Sequence, residues 1–334
     1  MIYICDFFAA REAVSNQIEL LRSSSDSFLF SASRFLNQKN FQLEDLKNKR
    51  VVVSERIYRF LLPLIARTNR DGIHYFEEEP SENMRNIFNK SSSNLFISMY
   101  RRPNLEYAEH LKGYKNLKYV FVELEEHKRI LVRNGINEKK VLVYRTPSLF
   151  TPQRNKKSYN PRNVNLLFAS WNNAEGNPLE ERGINYLLNL VAHNPNLTLT
   201  VMPRDNLTNE FTQKVKVMNL GARVKMKWPI GLYELKQIFQ KCDFVAFTPK
   251  IKISKDVPNS IIDGLSLGKP CIITNIIDFS RVVEDRRMGL VINDLGLFKF
   301  TINKENYLLM SKYAYDYSSL HSDDAYSELI DNYK

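Results

Sequence analysis

Apolar residues gather along this chain in short runs, and helix-spaced stretches separate them. Met1-Ile-Tyr-Ile-Cys5, Ser27 to Ser31, Arg50 to Val53, Leu95 to Met99, Lys118 to Val122 and Val141 to Tyr144 are rich in β-branched and aromatic residues. Near-continuous apolar runs of this length predict strands buried on both faces of a parallel sheet. Ala9 to Arg22, Leu43 to Lys47, Glu55 to Ala66 and Glu125 to Asn134 have helical spacing, with Gly135 closing the last as a left-handed cap. Glu77-Glu-Glu-Pro80 reads as a loop.

The polar run from Pro152 to Arg162 predicts a linker, after which the alternation resumes. Asn165 to Ala169, Leu197 to Val201, Val224 to Trp228, Asp243 to Thr248, Cys271 to Thr274 and Gly289 to Ile292 are the strand runs of the second half. Helices are expected at Ile184 onward, Gln213 to Leu220 ended by Gly221, Leu232 to Gln240, and Lys304 to Tyr333. Between Thr248 and Cys271 the pattern is most specific. Pro258 stands where a helix begins, Ile261, Ile262 and Leu265 form its buried stripe, and Asn259, Ser260 and Asp263 occupy the other side. Gly268 and Pro270 end it. A strand, loop and helix in this order aim a helix N-terminus at the crevice above the strand ends, where anions bind.

Pro258-Asn-Ser-Ile-Ile-Asp-Gly-Leu-Ser-Leu-Gly-Lys-Pro270 resembles the donor-site signature of the large retaining family of GT-B glycosyltransferases, the family 4-like "glycosyl transferases group 1". That signature carries two glutamates eight positions apart; here Lys255 stands at the first and Asp263 at the second. The resemblance extends from Phe121 to Ile292, through Leu131-Val-Arg-Asn-Gly-Ile136 and Phe150-Thr-Pro152. It implies an α/β protein of two Rossmann-like domains facing each other across a cleft. Residues 1–152 would form the acceptor domain, 153–310 the nucleotide-sugar domain, and 311–334 a final helix crossing back to the first.

The resemblance also implies roles. Arg182 takes the position of a lysine that grips the donor diphosphate, and an arginine fork suits phosphate oxygens; the plainer reading is a helix residue paired with Glu180 or Glu181. Ser170 and Trp171 stand where the family has an arginine. Arg204 is a further phosphate candidate, and Pro229 and Ile230 lie where the family's backbone reads the nucleobase. Arg182 and Lys255 are the expected catalytic pair, stabilising the departing diphosphate with Pro258, Asn259 and Ser260. Asp256 and Asp263 would hold sugar and ribose hydroxyls. Arg101 and Arg102 end a strand on the acceptor side, contacting an anionic acceptor or simply forming a solvated turn.

Composition narrows this further. At 334 residues the chain exceeds what one core fills, so two domains are expected. Hydrophobic content of 43% with mean hydropathy of −0.37 suits a globular protein. No apolar stretch approaches the roughly 20 residues of a membrane span, and no basic-then-apolar leader is seen, so a cytoplasmic location is expected. Cys5, Cys242 and Cys271 are too scattered for a disulfide framework or a metal knuckle. The net charge of +11 fits an anionic partner, or lysine written on solvated faces.

GxxxxGK[ST], GxGxxG, HExxH, CxxC and Asp-x-Asp are absent, so neither metal nor cofactor is expected beyond a UDP- or GDP-sugar co-substrate. The expected activity is sugar transfer with retention to a surface glycan or lipid-linked acceptor, with peripheral contact with an anionic membrane. Two alternatives stand beside it: a DNA-modifying transferase that follows a phosphate backbone, and a non-catalytic binding protein on the same fold.

Overall fold

The structure is a computed structural model that describes residues 1–5, 18, 28–33, 50–70, 72–77, 79–169, 178–203, 208–228, 231–252, 255–294, 296 and 299–319. The chain divides into two compact units, Met1–Pro147 with Asp323–Lys334, and Ser148–Ser322. Each is an α/β layer structure around its own parallel sheet.

In the first unit the strands are β1 (Ile2–Cys5), β2 (Phe28–Ser33), β3 (Arg50–Ser54), β4 (Ile73–Glu77), β5 (Leu95–Met99), β6 (Leu117–Val122) and β7 (Val141–Val143). Their order is β3-β2-β1-β4-β5-β6-β7, every pair parallel. Successive residues face opposite layers. Ile4, Phe30, Tyr75 and Ile97 enter one apolar cluster, while Tyr3, Leu29, Phe76 and Phe96 enter the other.

Strand β4 was not expected from the residue pattern. Its sequence, Ile-His-Tyr-Phe-Glu, carries a histidine and a glutamate, yet it is buried throughout and pairs with both β1 and β5. His74 lies in the core, stacked on Phe76 at 4.7 Å, with Nε2 2.7 Å from Ser98 Oγ. Glu77, expected in a loop, is instead the last residue of the strand. Helices Glu82–Phe88 and Leu105–Lys112 were also not anticipated; both are short, and their N-termini are fastened by Ser81 and Asn104 side chains.

The second unit contains β8 (Val164–Phe168), β9 (Leu197–Val201), β10 (Val224–Met226), β11 (Phe244–Phe247), β12 (Cys271–Thr274) and β13 (Gly289–Ile292), in the order β10-β9-β8-β11-β12-β13. Again all pairs are parallel. The run from Pro152 to Arg162, expected as a linker, is packed onto this unit. Gln153 N donates to Ser266 O at 2.7 Å, and Tyr159 stacks on Tyr307 with ring centroids 4.0 Å apart. The buried Tyr159 fastens this polar connection to the second unit.

Two helix ends also differ from expectation. Helix Thr208–Val217 is followed by a left-handed residue at Asn219 (φ 54°), not at Gly221. Asparagine is among the few side chains that tolerate this conformation. Pro258 is the N-cap of helix Asn259–Ser266 and not its first residue. The expected helix at 43–47 falls outside the described residues, as does that at 9–22 apart from the buried, helical Ile18, and the 311–334 segment beyond Ser319. Up to Ser318 the closing helix, Lys304–Ser318, belongs to the second unit and packs on Asn259–Ser266.

Candidate functional site

The second sheet reverses its order between β8 and β11. From β8 the chain proceeds outward to β9 and β10; from β11 it proceeds the other way to β12 and β13. The connections leaving these two adjacent strands therefore diverge, and a crevice opens above their C-terminal ends. One connection resumes at helix Pro178–Glu181, turns at Arg182-Gly183 and enters helix Ile184–His193. The other runs from Thr248 to Val257 and enters helix Asn259–Ser266.

The two connections are tied together. Lys250 N donates to Glu181 O at 2.9 Å, and Lys250 Nζ lies 2.9 Å from Glu180 Oε2. Thr248 Oγ1 donates to Gly183 O at 3.2 Å. Gly183 is required here: its φ is +77°, and a Cβ would stand 1.7 Å from Thr248 O. The Lys250 and Asn185 hydrogen bonds hold the Glu180 carboxyl below its usual range. One of the two carboxylates beside Arg182 is therefore already engaged.

Both helices begin without a side-chain cap. Gly183 has no side chain to offer and Pro258 has no polar one. Ser54, Ser81, Asn104 and Asn303 each accept from the first turn of their helices, whereas Leu124, Gly231 and Asp278 likewise give no side-chain cap. Each of the two starts, at Gly183 and Pro258, places the positive end of a helix at the switch point of the sheet. Helix Asn259–Ser266 is pressed against β11, where a Cβ on Gly264 would meet Val245 Cγ2 at 2.5 Å.

Arg182 and the stretch Lys255–Ser260 thus belong to the two connections that the Thr248–Lys250 bonds join. Lys255 and Asn259 are half-buried; Asp256, Pro258 and Ser260 are buried. Asp263 departs from its expected surroundings. It is not on a polar side of its helix but buried, and its Oδ1 accepts from Leu149 N at 2.8 Å and Ser148 Oγ at 3.1 Å. The whole span from Ser260 to Ser266 is buried: Ser148, Leu149 and Gln153 lie against Asp263 and Ser266, and the closing helix packs on the same helix. Ser170, Trp171, Arg204, Pro229 and Ile230 lie outside the described residues.

In the first unit the switch point falls between β1 and β4, and Glu77 ends β4. Its carboxylate is fully buried. Oε2 accepts from Tyr107 Oη at 2.6 Å, while Oε1 accepts from Tyr114 Oη at 2.9 Å and lies 3.1 Å from His110 Nε2. Burial and the neighbouring Glu77 charge raise the Tyr107 phenol well above its ordinary value. This cluster was missed because its members are scattered over Glu77 to Tyr114 and no spacing rule joins them. Arg101 pairs with Glu79 at 2.6 Å and Arg102 is exposed.

No protein-family model matches the chain, and no curated protein sequence matches it. Solved structures do. Anabaena Alr3699/HepE, crystallised in complex with UDP-glucose, aligns with a TM-score of 0.74 at 12% identity, covering 99% of this chain and 98% of that one. Sucrose-phosphate synthase from Thermosynechococcus elongatus aligns with a TM-score of 0.72 at 13% identity, over 99% and 97% of the two chains. The lipopolysaccharide outer core galactosyltransferase WaaB gives 0.62 at 14% identity, over 100% and 99%. At such identities the likeness is one of fold.

Proposed function

Starting from the GT-B fold that this chain shares with HepE, WaaB and sucrose-phosphate synthase, we propose that it is a glycosyltransferase using a UDP- or GDP-sugar. The observation that carries the proposal is the pair of uncapped helix N-termini, at Gly183 and Pro258, on the two connections that leave the switch point of the second sheet. A diphosphate bound there would meet the positive ends of both helices.

In this reading Arg182, Lys255 and the first turn at Asn259 and Ser260 face the diphosphate. They stabilise the negative charge that grows on its leaving oxygen as the glycosidic bond breaks. Asp256 accepts from sugar hydroxyls. Asp263 keeps one oxygen on Ser148 and Leu149 and offers the other to the ribose. Ser170, Trp171 and Arg204 complete the phosphate side, and Pro229 and Ile230 the base side. Transfer proceeds with retention and without a metal ion. The departing phosphate oxygen takes the proton of the acceptor hydroxyl, which attacks the face the phosphate leaves. We assign the acceptor, a surface glycan or lipid-linked glycan, to the first unit, with Arg101 and Arg102 on its side.

The test is thermal stabilisation by UDP, GDP and their sugars. A ligand that binds only the folded state stabilises by about 2.7 kcal/mol at 100 times its Kd. One nucleoside diphosphate and its sugar should raise the melting temperature. Arg182→Ala should remove that rise and leave the unliganded melting temperature in place. No shift across the panel overturns the proposal.

A further inference from the structure

Helix Glu55–Thr68 of the first unit has two apolar faces where a surface helix ordinarily has one. Tyr58, Leu62 and Ala66 point inward and are buried in the core. On the opposite side Ile57, Phe60 and Leu64, at i, i+3 and i+7, form a second stripe that is 49%, 73% and 52% exposed. A protruding phenylalanine between two aliphatic residues in one line is not the scatter of single exposed apolar groups found on any surface.

Arginines border this stripe. Arg56, Arg59 and Arg67 are all exposed and project along one flank of it. The one carboxylate on the helix, Glu55, already pairs with Arg59 at 2.5 Å. Apolar side chains aligned beside guanidinium groups match the boundary of a bilayer, where acyl chains lie beneath anionic headgroups. The face is small for a protein partner. Fourteen residues span about 21 Å, so a helix about 10 Å wide offers on the order of 200 Å², against roughly 800 Å² per partner in a stable protein interface.

We propose that this outer face docks the protein on an anionic membrane surface. Phe60 and Leu64 enter the headgroup boundary and Arg56, Arg59 and Arg67 meet the lipid phosphates. The inference stands on the helix itself and does not depend on the transfer reaction proposed above.

The experiment is co-sedimentation of the full chain with vesicles of phosphatidylcholine alone and of phosphatidylcholine with about one third phosphatidylglycerol. Binding is expected only with the anionic vesicles, falling steeply with salt. Replacing Phe60→Ser and Leu64→Ser together should weaken partitioning at least about ten-fold. Arg56→Gln with Arg67→Gln should weaken it about 25-fold, from roughly five-fold per arginine. Melting temperatures should be unchanged, since these side chains are exposed. Three results would overturn the proposal: no binding of the unaltered chain to anionic vesicles, equal binding of the apolar variant, or a change of oligomeric state in light scattering on Phe60→Ser, which would mean that a second copy covers the face.

Discussion

The two units have the same kind of switch point and fill it in opposite ways. In the first, β4 ends in a carboxylate that Tyr107, His110 and Tyr114 saturate from the protein itself. In the second, β8 and β11 lead to two helices whose capping positions hold glycine and proline, so neither capping residue supplies a side-chain acceptor. In the first, the carboxylate at the strand end is satisfied by its neighbours; in the second, the two helix starts carry no cap from their own capping residues. The shared topology explains why both are candidate sites, and the side chains alone distinguish them. Parallel sheets place strand ends and helix N-termini together regardless of sequence. What binds is decided by whether the local polar groups already have partners.

The largest expected effect comes from Gly183, where the two connections of the second unit meet. Gly183→Ala places a methyl 1.7 Å from Thr248 O at a φ of +77°, so a loss on the order of 5 kcal/mol is expected. Hydrogen exchange should show faster opening of the second unit while the first keeps its protection. Protection unchanged in both would mean the Gly183–Thr248 contact is not tight.

Next comes the saturated carboxylate. Glu77→Leu leaves Tyr107, His110 and Tyr114 without their buried acceptor, and about 3 kcal/mol should be lost. Exchange should now quicken in the first unit, and the stabilisation by nucleotide should remain. Loss of that stabilisation would break the contrast between the two switch points.

Alkaline pH separates the units more gently. In the second, burial pushes the Cys242 and Cys271 thiols up to about 12, and the Tyr159 and Tyr186 phenols also to about 12. Tyr307 is raised further by burial and the nearby Asp243. These groups keep their protons in the folded state, whereas the unfolded chain releases them near pH 8.5 for thiols and 10 for phenols. Their contribution is therefore complete below about pH 8.5 and is lost as pH rises toward 12, at about 1.4 kcal/mol per group and pH unit. Lys269, whose pKa burial lowers, acts with the opposite sign up to its unfolded value near 10.4. Melting followed from pH 8 to 11 should fall, with the second unit's exchange protection declining first. A flat profile would contradict this.

Much of the fold was legible because buried parallel strands write themselves as apolar runs. β1, β2, β3, β5, β6 and β7 and all the strands of the second unit match runs in the residue pattern. β4 did not, since His74 and Glu77 are polar by composition. Their burial depends on Ser98, Tyr107, His110 and Tyr114, which arrive from β5 and from the stretch after it. Tyr159 shows the same thing in the run read as a linker. Its place is set by Tyr307, distant in sequence, and no local signal reports it.

For the candidate site, the order of residues already indicated a helix start at Pro258, one residue before the observed one, and a basic residue at Arg182 beside a glycine. Helix starts are local events, governed by backbone geometry and by which side chains can cap. The sequence by itself therefore determined the alternation of strands and helices, the helix starts near Gly183 and Pro258, and the net positive charge. Only the tertiary structure decided which strands are neighbours at each switch point, that Asp263 turns one oxygen to Ser148 and Leu149, that Glu77 is saturated, and that Phe60 faces outward. The reason is range: hydrogen bonding within a turn is settled over a few residues, whereas burial is settled by whatever distant segment packs on top.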